Sequence, residues 1–170
     1  MANATTAAPP GLAATESSGL KAGVGLMTLG AAGFVLYAVI FFIRNFTDDF
    51  LELGIGPGQV DTGKDQIEQF SPQLYDYISH LHIAVSGFIL ATAVAVIFLS
   101  AFGVRRGYLW AWIGAVSAPV VGLAVAIPSH YPYGLDTIGH LGLIYLSTAI
   151  FVVGALIAVR PVLDADRRRA

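Results

Sequence analysis

The sequence contains no cysteine, and charged residues are scarce. Asp, Glu, Lys and Arg together make up 12% of the 170 residues, whereas 56% of the residues are hydrophobic. The missing thiols exclude thiolate metal sites, iron–sulfur clusters, disulfides and cysteine nucleophiles. A Walker loop, a G-x-S-x-G elbow and an H-E-x-x-H zinc motif are also missing. The chain is therefore too apolar for an ordinary soluble domain, and no motif decides whether it is an enzyme.

Four stretches are long and apolar enough to cross a bilayer, which takes about 20 helical residues. They cover residues 20–43, 74–103, 108–128 and 137–160, and none carries Lys or Arg in its middle. We therefore predict an all-α integral membrane protein, a four-transmembrane-helix bundle over residues 20–160. The other parts are expected to be a disordered tail at 1–19, an outer loop at 44–71 and a basic tail at 161–170.

Charged residues divide unevenly between the two sides of the predicted bundle. Arginines follow the second and fourth spans, at positions 105, 106, 160, 167, 168 and 169, while the segment 44–71 is mainly acidic. The positive-inside rule then places both termini in the cytoplasm and the acidic loop outside a cell (plasma) membrane. The final arginine run is short and has no aromatic residues between its members, which indicates a topology signal. We expect the lipid bilayer and other membrane subunits as partners, and no nucleic acid.

Two segments of the chain repeat the same polar pattern. Residues 72–81 and 132–141 share Pro, Asp, Ile, His and Leu at the same offsets. Each segment precedes or opens an apolar span, and the two spans run in the same direction. The repeat suggests two tandem two-helix units related by an axis along the membrane normal.

Each repeat contains an Asp-x-x-x-His pair, Asp76 with His80 and Asp136 with His140. Residues four apart on a helix lie on the same face, so each Asp is expected beside its His. The face of Asp76 and His80 continues through the small residue Gly87, which predicts that it points toward a neighbouring helix. Ionisable groups in membrane spans usually face the protein interior and are candidates for function.

Three kinds of site fit these residues. In the first, His80 and His140 ligate a transition metal, with Asp76 and Asp136 as further ligands or as groups that orient the imidazoles. In the second, the two histidines are the axial ligands of a b-type haem. In the third, the pairs titrate protons at a polar substrate or a quinone headgroup. His130, in the turn before the last span, is a further candidate metal ligand.

The leading interpretation is metal or haem binding at the extracytoplasmic face, in a subunit of a membrane redox complex. The alternative is a structural or lipid- or quinone-binding subunit in which the Asp–His pairs only lock helices together. An Asp in the first turn can cap a helix and bond to a His one turn later, which favours this alternative. The metal hypothesis requires the His80 and His140 imidazoles to share an ion. A structure with the second and fourth spans on opposite sides of the bundle would therefore count against it.

Local signals predict where several elements begin and end. The glycines in the first half of the first span predict close packing against a neighbouring helix. Ser71 and Pro72 are an N-cap and a first-turn proline for the second span. Residues 46–53 are expected to form a short surface helix, and Pro161 is expected to end the fourth span.

Overall fold

The protein is all-helical in the part that the computed structural model describes, residues 17–47 and 53–170. Its α-helices are α1 (Ser18–Thr47), α2 (Lys64–Phe70), α3 (Pro72–Phe98), α4 (Leu109–His130) and α5 (Ile138–Arg167). Every helix except α2 is long and apolar enough to cross a membrane. The predicted fold class, a four-helix bundle of membrane-spanning length, is confirmed.

The helix ends follow from local sequence. The Ser71 hydroxyl accepts a hydrogen bond from the Leu74 N–H at 3.3 Å, and Pro72 is the first residue of α3. The predicted cap is therefore correct. A π-helical turn (Leu99–Gly103) and a 3₁₀ turn (Val104–Arg106) extend α3. Gly107 then reverses the chain at φ 72°, a left-handed conformation that favours glycine.

The four long helices form a ring in the order α1, α3, α4, α5. Helix α1 packs along both α5 and α3, while α4 makes smaller contacts with α3 and α5. Consequently α3 and α5, the second and fourth spans, occupy diagonal corners of the bundle. Helix α4 is the least buried of the four long helices.

Glycines bring α1 and α5 into backbone contact, as the sequence predicted for the first half of α1. A Cβ atom added at Gly30 would lie 2.6 Å from the Ser147 carbonyl oxygen. One added at Gly23 would lie 2.8 Å from the Gly154 carbonyl oxygen. Without side chains at these positions, the backbones approach closely and gain van der Waals contact, which drives helix association in lipid.

Pro161 does not end α5, contrary to the prediction. The helix continues to Arg167, and Val162 is fully buried in the main core cluster. Arg169 then donates hydrogen bonds to the carbonyl oxygens of Gly107 at 2.7 Å and of Arg106. A proline inside a helix costs about 3 kcal/mol. The burial of Val162 and the contacts of Arg169 oppose that cost.

The exposed face of α3 also differs from the prediction. Asp76, His80 and Gly87 are exposed, and a Cβ atom at Gly87 would meet nothing within 4 Å. The buried residues Ser86 and Ala93 lie on a different face. The predicted helix contact along the Gly87 face is therefore wrong.

The two ends of the bundle differ in chemistry, and we name them by their residues. The histidine end holds the C-termini of α1 and α4 and the N-termini of α3 and α5. The arginine end holds the opposite helix ends, including Arg169. Most of the predicted disordered tail at 1–19 and most of the predicted surface helix at 46–53 lie outside the described residues.

Candidate functional site

The centre of the histidine end is His140, the third residue of α5. Thr137 caps this helix: its hydroxyl accepts the His140 N–H at 3.1 Å and donates to the Gly54 carbonyl oxygen at 2.9 Å. The chain around Gly54 is thereby fixed across the N-terminus of α5. His140 is fully buried beneath it, with 0% of its surface exposed.

Glycine is required where this segment crosses the helix. Gly54 has φ 76°, and a Cβ atom on it would collide with the backbone of Gly139. One residue earlier, the Leu53 carbonyl oxygen lies 3.2 Å from Nδ1 of His140. The close approach of the two glycine backbones therefore places a carbonyl acceptor at the imidazole.

A second imidazole lies against the first. His130 is the last residue of α4, and its Nδ1 lies 2.8 Å from the Ala126 carbonyl oxygen. The ring centroids of His130 and His140 are 4.9 Å apart, with the planes tilted by 37°. A carbonyl oxygen can only accept a hydrogen bond, so both imidazoles donate from Nδ1. In the neutral form each Nε2 then carries a lone pair.

Three tyrosines also lie at the histidine end. The Tyr37 ring of α1 lies 6.4 Å from that of His140, and the Tyr131 and Tyr145 hydroxyls are 2.9 Å apart. The exposed Asp136 is within electrostatic range of the Tyr145 hydroxyl. Besides Asp76, His80 and His82 of α3, this end of the bundle thus carries the His130–His140 pair, the tyrosine hydroxyl pair and Asp136.

The predicted site residues are distributed over two helices that do not adjoin. His140 is buried on α5, whereas His80 and Asp76 are exposed on α3, at the diagonal corner of the bundle. The imidazole that contacts His140 is that of His130, which was predicted only as a further candidate metal ligand. Within residues 17–47 and 53–170 no three His, Asp or Glu side chains form a metal-binding group.

Neither aspartate caps its helix. Ser71 caps α3 and Thr137 caps α5. Asp76 follows its cap by five residues, and Asp136 precedes its cap by one. The two repeated segments therefore take different positions relative to their helices, and only His140 reaches the interior.

A separate polar contact joins α1 to α3 near the same end. Asn45, 2% exposed, donates from Nδ2 to the Ser79 hydroxyl at 2.9 Å. The backbone carbonyl oxygen of Asn45 accepts a hydrogen bond from Lys64 Nζ at 3.2 Å. His82 lies beside this contact, with its ring 4.7 Å from that of Phe41. We assign a helix-joining role to this group of residues.

Sequence reasoning missed the role of the turn between α4 and α5. The turn is short, and the Leu135 N–H donates to the His130 carbonyl oxygen at 2.9 Å. Short connections make consecutive helices antiparallel neighbours, so the last residues of α4 lie near the first of α5. That rule alone would have paired His130 with His140.

These features define a multi-pass membrane protein in which the buried His140 and the half-buried His130 form a pair at one end of the bundle. No protein-family model matches the chain, and neither a curated protein nor a solved structure shows significant similarity to it.

Proposed function

We propose that this membrane protein binds one divalent transition-metal ion through Nε2 of His130 and Nε2 of His140. The observation that carries the proposal is the pair of Nδ1 contacts to the carbonyl oxygens of Ala126 and Leu53. Histidines that ligate metals usually donate their other ring N–H to a carbonyl or carboxylate oxygen, which fixes the tautomer and the ring orientation.

The separation of the two rings supports the same proposal. With metal–nitrogen bonds of about 2.0–2.1 Å, each ring centroid lies about 3.2 Å from the ion, and a tetrahedral bond angle near 109° separates the centroids by about 5.2 Å. The observed separation is 4.9 Å. Two axial ligands on opposite sides of a haem iron would instead stand about 6.4 Å apart. The pair therefore favours a metal ion over a haem.

The donor set limits the ion and the character of the site. Two imidazoles suit zinc, copper, nickel or cobalt rather than magnesium or calcium, which prefer oxygen. Two protein ligands leave coordination positions for water or for an external ligand, as in sites that act on a substrate. We infer an exchangeable site at the histidine end, in keeping with a role in a membrane redox or metal-handling complex.

Metal analysis of the purified protein tests the proposal. We expect one zinc or copper ion per chain, and nitrogen hyperfine coupling from two imidazoles in the Cu(II) spectrum. His130→Ala should weaken binding at least about a hundredfold, because removal of a ligand costs more than loss of an outer contact. The exposed His80 provides the matched control, and His80→Ala should bind metal normally. Absence of stoichiometric metal, or full binding by His130→Ala, would disprove the proposal.

A structural role is the second candidate, and the contacts of residues 53 and 54 favour it. His140 and Thr137 both bond to carbonyl oxygens of this segment, which joins it to α5. If these bonds only hold the segment, His140→Ala should lower thermal stability while metal content stays at the background level of the wild type. His130 bonds instead to Ala126 of its own helix and should then tolerate alanine with little loss of stability.

A further inference from the structure

An apolar cavity of about 290 Å³ lies among the four long helices. Its size is near the lower limit of ligand pockets, about 300 Å³. The inner wall consists of buried or half-buried residues of α1, α3 and α5, including Phe34, Ala93 and Phe151. No Asp, Glu, Lys, Arg or His lines it.

The cavity opens sideways between α3 and α4. On that side several of its lining residues are exposed, among them Phe88 of α3 and Gly122 and Ala126 of α4. Because both helices are of membrane-spanning length, the opening faces the bilayer. An occupant therefore enters from the lipid phase.

Hydrocarbon is the chemistry that this lining accepts. The hydroxyl of Thr92 already donates to the Phe88 carbonyl oxygen at 2.8 Å. A polar group placed in the cavity beside these side chains would lose its hydrogen bonds, which costs several kcal/mol in an apolar environment. A single flexible chain avoids this cost.

One end of the cavity reaches the histidine pair. Tyr37 lines the cavity and lies next to His140, while Ala126 lines it and gives its carbonyl oxygen to His130. A chain that fills the cavity therefore ends near these two histidines, although neither ring lines the cavity. Their Nε2 atoms can accept hydrogen bonds, so a neutral head with hydroxyl groups fits better than an anionic head that carries no donor.

We propose that the cavity binds the hydrocarbon chain of a lipid-soluble quinol, which enters between α3 and α4 and places its hydroxyl groups beside His130 and His140. The placement of the quinol head rests on the proposed function, because its hydroxyl oxygens either donate to Nε2 or ligate the bound ion. The placement of the hydrocarbon chain rests only on the cavity.

The test measures binding of a radiolabelled quinol with a ten-carbon chain to the protein in phosphatidylcholine nanodiscs. Partitioning into empty discs is subtracted. We expect saturable binding of one quinol per protein molecule, and no binding of the same head group without its hydrocarbon chain.

Gly122→Phe fills the cavity and should weaken binding at least about tenfold. Val121→Phe adds the same side chain at the neighbouring position, 64% exposed and outside the lining, and should leave the affinity within about twofold.

Several results would overturn the proposal. The first is quinol binding to the protein discs no greater than partitioning into empty discs. The second is a Gly122→Phe variant that binds quinol as tightly as the wild type. The third is a Val121→Phe variant that loses as much affinity as Gly122→Phe. Measuring metal content and quinol binding on the same preparation separates the two proposals. Saturable quinol binding to a protein that holds no metal even after zinc or copper is supplied disproves only the metal site, and metal binding without quinol binding disproves only the quinol.

Discussion

The contact between α1 and α5 allows a sharp test of how this bundle is held together. A Cβ atom on Gly154 would lie 2.6 Å from the Met27 backbone nitrogen and 2.7 Å from the Gly23 carbonyl oxygen. Real Cβ contacts are essentially never shorter than 3.0 Å and are ordinary from 3.4 Å, so Gly154→Ala forces the two backbones apart by about 0.4–0.8 Å. The obstacles are backbone atoms, and no side chain can rotate away to relieve them.

The expected loss of stability is about 1–2 kcal/mol. Overfilling a packed interface costs about 1–3 kcal/mol. Replacing glycine by alanine inside a helix adds up to about 1 kcal/mol of stability through the higher helix propensity of alanine. Because glycines also line the other side of this interface, separation of the helices weakens packing along most of their common length, and we expect the net effect to be destabilising.

Gly142→Ala in the same helix is the matched control. Its Cβ atom would meet only the Ile138 side chain, at 3.8 Å. This variant gains the helix propensity without the collision and should be unchanged or up to about 1 kcal/mol more stable. Unfolding in detergent micelles, titrated with dodecyl sulfate and followed by far-ultraviolet circular dichroism, measures the difference. If Gly154→Ala is as stable as Gly142→Ala, close α1–α5 packing does not stabilise the bundle.

Three further substitutions test the ends of the bundle, each by thermal unfolding in detergent. Thr137→Val removes the cap of α5 and the bond to the Gly54 carbonyl oxygen, and should cost about 1–2 kcal/mol. Gly54→Ala should cost at least about 1 kcal/mol, because φ is 76° and the added methyl group meets a backbone. Arg169→Ala loses the bond to the Gly107 carbonyl oxygen and should cost about 1 kcal/mol, whereas Arg168→Ala should cost nothing measurable.

The spans and their starting points were predictable because they depend on nearest-neighbour chemistry. A run of apolar residues as long as the bilayer is thick leaves few alternatives to a spanning helix. The Ser71-Pro72 start likewise depends on a hydroxyl acceptor and a residue that needs no N–H. The same local rule failed at Pro161, since burial of Val162 is a tertiary effect that no local pattern contains.

The packing face of α3 was not predictable from the same patterns. In water, the polar face of a helix identifies its exposed side, but in a bilayer both sides of a span are apolar. The small residue Gly87 offered a packing surface, yet α1 uses the face of Ser86 and Ala93 instead. Small residues therefore allow close contact without requiring it, and here the glycines of α1 and α5 provide the contact.

The two repeated segments show why identical residues at the same offsets need not form equivalent sites. In the first, proline is the first residue of α3, so His80 follows two turns later on an exposed face. In the second, Pro132 lies in the turn and Thr137 starts the helix, so His140 falls in the first turn. Only there does the crossing segment at Gly54 cover the imidazole and give it a carbonyl acceptor. The helix start, set by one threonine, thus decides which of the two histidines can share a site with His130.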